Sequence, residues 1–158
     1  MVELALVVPV VLLFTLGIVD FGRGIFTYAV LADAAREGAR YAIVHGALAT
    51  EPGEVPSGPG EPNPPNGDPA GANVVAAAKA DAYGLDATAM KVSVCWGDPY
   101  HPCSVPADCS TATSTATSPV PDTEVTVRVC YPFQVFSAAF LGVASVPLSA
   151  QATLVVTH

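Results

Sequence analysis

Residues 4–19, LALVVPVVLLFTLGIV, contain no charged side chain, and this run governs what the chain can become. Sixteen residues of helix are about 24 Å long, a little short of a ~30 Å hydrocarbon core. A secretory signal would offer a basic start and a small-residue cleavage site after its apolar stretch. Here the chain starts Met-Val-Glu and the run ends in Val19-Asp20-Phe21-Gly22-Arg23, so the segment is expected to stay in the mature protein. The apolar pattern continues through Ile25, Phe26, Tyr28, Val30 and Leu31. It then turns amphipathic, with opposite charges three apart at Asp33–Arg36 and Glu37–Arg40. Ala35, Gly38, Ala39 and Ala42 make a flat stripe on which another element can pack closely. One helix over residues 2–45 is roughly 65 Å long, too long for a small domain to bury. Its first half must enter a membrane or pack on other copies of itself.

The remainder reads as one extracytoplasmic domain over 47–158, after an assembly helix over 1–46. Residues 51–71 hold seven prolines and are expected to form an extended loop. Asp68-Pro69 is expected to start a second helix that runs to Tyr83 and stops at Gly84. Three segments then alternate apolar and polar residues: Met90–Trp96, Glu124–Tyr131 and Pro147–Thr157. One apolar face on each predicts an antiparallel sheet laid on a helix, an α+β fold. Residues 97–122 form an insertion ending in the run STATSTATS, and Pro132–Val146 an apolar connection with room for a short helix.

The four cysteines, Cys95, Cys103, Cys109 and Cys130, match no zinc spacing and include no CxxC pair. They read as two disulfides formed in an oxidising compartment. Three pairings are possible; the polar strand faces favour Cys95–Cys130 between strands, with Cys103–Cys109 stapling the insertion.

A formal charge of −8, with Lys79, Lys91 and Arg128 as the cations after residue 40, argues against a nucleic-acid partner. His45, His101 and His158 are scattered and form no triad with a nucleophile, so no catalytic residue is assigned and no enzyme is expected. Asp98, His101 and Asp108 share the insertion, but loop acids are usually solvated, so neither metal nor cofactor is assigned. The acidic surface otherwise confers solubility.

The stretch VELALVVPVVLLFTLGIVDFGRGIFTYAVLADAAREGARYAIVHG closely resembles the N-terminal region of TadE-like pilins of tight-adherence (Tad) systems. VTVRVCYPFQVFSAAFLGVASVPLSAQATLVV is similar to the C-terminal part of that family. The two ends together cover about half the chain, and the middle matches nothing recognised. The resemblance implies a subunit processed by a prepilin peptidase, held in the cytoplasmic membrane, then moved by pilus assembly machinery into a homo-oligomeric helical filament on the cell surface. Adhesion or surface contact would be its role. Family members carry a glutamate at the fifth mature position, which Glu3 matches, so the chain would begin near the third mature residue with its basic leader removed. Glu3 is then expected to face the terminal ammonium of a neighbouring subunit, offsetting a burial cost of several kcal/mol. Leu4, Leu6, Val7, Val10 and Leu13 are expected to pack between subunit helices, as are Phe14, Leu16, Gly17 and Phe21. Pro9 would bend or loosen the helix among them. Asp20 and Arg23 are expected to form a local charge pair. Two rival readings are a minor pilin or pseudopilin that primes or tips a filament, and a monomeric membrane-anchored module binding a ligand through 97–122.

Overall fold

The computed structural model describes residues 2–45, 71–98, 100–110, 122–136 and 145–156. The proline loop up to residue 70, the Ser/Thr run at 111–118, residues 137–144 of the apolar connection, and His158 lie outside the described residues. Five elements follow in order: helix α1 (Val2–Val44), helix α2 (Ala72–Ala80), and strands β1 (Lys91–Gly97), β2 (Glu124–Gln134) and β3 (Ser145–Val155). The architecture is α+β. A three-stranded antiparallel sheet in the order β1-β2-β3 lies against the second half of α1, and α2 packs on α1 and β1.

Small residues on α1 decide this packing. Leu31, Ala34, Ala35, Ala39 and Ala42 are fully buried, against Val125, Val127 and Val129 of the central strand and Val74 of α2. Gly38 shows how close the approach is. A methyl group there would meet the Ala78 Cβ at 3.0 Å and Val127 Cγ1 at 3.3 Å. Larger side chains along this stripe would hold the three elements apart. On the opposite side of the helix, Asp33–Arg36 and Glu37–Arg40 form exposed pairs at 2.9 and 3.5 Å. Such pairs add only tenths of a kcal/mol.

The second helix is shorter than its sequence suggests. It ends at Ala80 with Asp81 as its cap, and not at Tyr83–Gly84. Its entry is Gly71, in the left-handed region at φ 71°, where a Cβ would lie 2.6 Å from the Trp96 ring. That position accepts no side chain without strain. Gly84 is also left-handed, at φ 76°, but in the turns that follow the helix. Asp68 and Pro69 lie outside the described residues.

Both long strands run further into the apolar connection than the alternation implied. Pro132 stands opposite Pro147 and Gln134 opposite Ser145. β1 pairs only as far as Cys130, so prolines beyond it cost β2 no bond to that neighbour.

The disulfide pairing favoured by strand-face reasoning is corrected. Cys95 bonds Cys103 and Cys109 bonds Cys130, in place of Cys95–Cys130 and Cys103–Cys109. The reason is register. Cys95 stands opposite Thr126, while Cys130 stands opposite Lys91. Four residues of strand separate the two cysteines by about 13 Å, beyond disulfide reach. Each strand cysteine takes its partner from the insertion instead. The two bonds draw residues 100–110 down over the sheet face remote from α1, where Ser93, Cys95 and Thr126 are buried and Ser93 Oγ donates to the Ser110 carbonyl at 3.0 Å. Gly97 lets the returning loop approach, for a Cβ there would sit 2.6 Å from the Cys103 nitrogen.

Candidate functional site

Among the described residues, the first half of α1 is largely uncovered by the rest of the chain. Leu4, Leu6, Val7, Val10, Leu13 and Phe14 are exposed, Phe14 to 72%. Pro9 and Gly17 are exposed too, and Leu16 is half-buried. Pro9 lies within the continuous helix. Thr15 does not disturb the apolar surface, because its hydroxyl donates back to the Leu12 and Val11 carbonyls at 2.9 and 3.1 Å. Glu3 is in the first turn of α1, but its side chain lies outside the described residues. Of the described helices, α1 is the one long and apolar enough to cross a membrane, and its most apolar stretch is almost wholly unburied. An apolar helix exposed on so many faces has no solvent-stable state as a monomer in water. Lipid or protein must cover it.

The covering by the chain's own domain begins at Asp20. This residue is buried, at 7% exposure. Its Oδ1 accepts the Phe136 backbone N–H at 3.0 Å and lies 3.7 Å from Arg23 Nη1. The Arg23 guanidinium is placed over the Phe136 ring, 4.0 Å from its centroid, and 5.4 Å from that of Phe133. A carboxyl group buried beside apolar side chains needs such partners, because desolvation otherwise outweighs its stabilisation. The sequence spacing exposes the Asp20–Arg23 relation, but nothing local signals Phe136, which is 116 residues away. Phe21, Gly24, Ile25 and Tyr28 of α1, with Phe133, Val135 and Val146, line an open groove of about 360 Å3 next to Asp20. Its walls are almost entirely apolar.

The loop acids are occupied in turn geometry. Asp98 accepts the N–H groups of Tyr100 and His101, both at 2.8 Å, and its carboxylate meets His101 Nδ1 at 3.2 Å. Donation from the Tyr100 N–H, foremost, holds the Asp98 carboxyl below the ordinary aspartate range. Asp108 is lowered likewise, chiefly by the N–H of Ser110. Asp108 thus sits in a turn of its own, apart from the Asp98–His101 pair. His45 stacks on Tyr41 at the end of α1, with ring centroids 4.0 Å apart.

Comparison with known proteins bears on the helix alone. Residues 1–40 match the family described as TadE-like protein. No curated protein matches the chain, and no solved structure does. The match covers the free segment of α1, the Asp20–Arg23 pair and most of the small-residue stripe. Over this N-terminal quarter, the chain is similar to TadE-like proteins.

Proposed function

We propose that this chain is a structural, non-enzymatic pilin-like subunit. α1 holds it in the cytoplasmic membrane, and assembly machinery then transfers it into an extracellular Tad-like filament that serves adhesion or surface contact. The observation that carries this reading is the free half of α1, uncharged from residue 4 to 19, exposed over nearly all of its surface, and matching the TadE-like family.

Exchange of lipid for protein around an apolar helix yields little free energy from area, because both surroundings are apolar. Specific assembly therefore depends on close packing and on polar pairing inside the helical core. Gly17, with open space around it, permits a neighbouring helix to come near. Glu3 is the one acidic residue before Asp20, and its carboxylate is suited to meet a neighbour's terminal ammonium. A pair of that kind is costly to break on one side, since the remaining charge stays buried. The domain, with its stapled insertion, then faces outward.

Replacement of Glu3 by Gln tests the pairing. The variant should insert in the membrane as the native chain does, while its yield in the fraction sheared from cells falls about tenfold or more, the effect of ~1.4 kcal/mol or more per subunit addition. An undiminished sheared yield would remove Glu3 from assembly.

A further inference from the structure

The charge-free run is too short by itself to span a bilayer, and the domain supplies what is missing. Sixteen residues give about 24 Å, against ~30 Å of hydrocarbon, so about four more residues of α1 must lie at hydrocarbon depth. That carries the lipid boundary past Asp20 to the level of Gly24. On the helix, Phe21, Ile25 and Phe26 are exposed at this level. Phe136, just after β2, and Val146, at the start of β3, add exposed side chains beside them, with the apolar groove between these and α1.

We propose that this face of the domain is seated in the lipid bilayer, with Phe136, Val146 and the groove filled by acyl chains and the surface of the membrane at about Tyr28. The reading rests on a membrane-spanning α1. Four features of the site fit it. The groove wall is almost without polar surface, as acyl chains require. The acid at this depth, Asp20, is shielded from lipid and hydrogen-bonded by the Phe136 N–H. Arg23 keeps part of its side chain exposed and lays its guanidinium over Phe136, the arrangement of a cation reaching from apolar surroundings towards headgroups. Tyr28, one turn above the groove floor and 53% exposed, has the amphipathic ring that favours the headgroup level. The domain is thereby fixed in depth and rotation on its own anchor, the Asp20–Phe136 bond joining the two parts.

The test uses the full oxidised chain in phosphatidylcholine vesicles, with single cysteines at Phe136, Val146, Phe14 or Val155 carrying an environment-sensitive fluorophore. The four native cysteines are paired, so each added thiol labels alone. Labels at 136 and 146 should lose most of their emission to lipids spin-labelled near the top of the acyl chain. The label at 14 should respond to spin labels deep in the chain, and that at 155 to neither. If 136 and 146 resemble 155 while 14 is quenched, the helix spans and the seat is refuted. If 14 is unquenched as well, the spanning reading falls with it. Shielding at 136 that disappears when subunits are diluted to one per vesicle would assign the groove to a second copy, and overturn the lipid assignment.

Discussion

Gly38 sets how closely α1 approaches its neighbours. It is the point at which three elements meet, with Ala78 of α2 and Val127 of β2 on either side. Replacement by Leu gains helix propensity of up to ~1 kcal/mol but overpacks a site without room. A net loss of about 1–3 kcal/mol is expected, read as a lowered thermal midpoint in detergent; an unchanged midpoint would contradict the close approach. The loop aspartates act differently. Asp86, Asp98 and Asp108 all have lowered carboxyl pKa values, through hydrogen bonds from Thr88, Tyr100 and Ser110 first. A carboxylate lowered in the folded state contributes above its unfolded value of about 3.9, and that contribution fades as pH falls through the folded value. These turns should therefore leave stability unchanged from neutrality down to about pH 4, and weaken it below. A chemical-denaturation series across that range, comparing Asp98→Asn with the native chain, should show the two curves converging only in acid.

At the scale of elements, the cystines decide the shape of the outer face. The chain offers a direct reading of their connectivity, since cleavage before Asp86, Asp98, Asp108 and Asp122 places one cysteine in each fragment. Fragments 86–97 and 98–107 should remain joined without reduction, as should 108–121 and 122–158. A joined pair of 86–97 with 122–158 would restore the cross-strand pairing. Removing both Cys109 and Cys130 opens a loop of 21 residues and should cost about 3 kcal/mol on the chain-entropy account. The elements themselves were mostly legible. Uninterrupted apolar and then amphipathic periodicity marks α1, and strict alternation marks the cores of β1, β2 and β3. What was not legible follows from tertiary register. Cys95 and Cys130 share a face by parity, yet parity says nothing about the offset of four residues that separates them. The end of α2 at Ala80 was hidden for a similar reason, because alanine-rich sequence has no local stop signal before Gly84. Asp20 reads in sequence as half of a local ion pair. The fold adds a hydrogen bond from the Phe136 N–H, just beyond the end of β2.

The whole molecule divides its apolar residues between two tasks. The second half of α1 buries small residues against a sheet, while most of the described side chains from Leu4 to Val19 are exposed, Leu16 being half-buried. The described domain does not bury this rod, and residues 1–40 match the family described as TadE-like protein. The proposed assembly would account for both, lipid covering the helix before polymerisation and other copies covering it afterwards. The measurement that bears on this most directly is cryo-electron microscopy of filaments sheared from cells that make the chain, with the subunit identified from side-chain density. The account predicts a helical polymer with the α1 segments of many copies forming its core, Glu3 against a neighbouring terminus, and the sheet and stapled loop outside. A shaft built from a different protein, with this chain confined to a tip or to the membrane fraction, would contradict it.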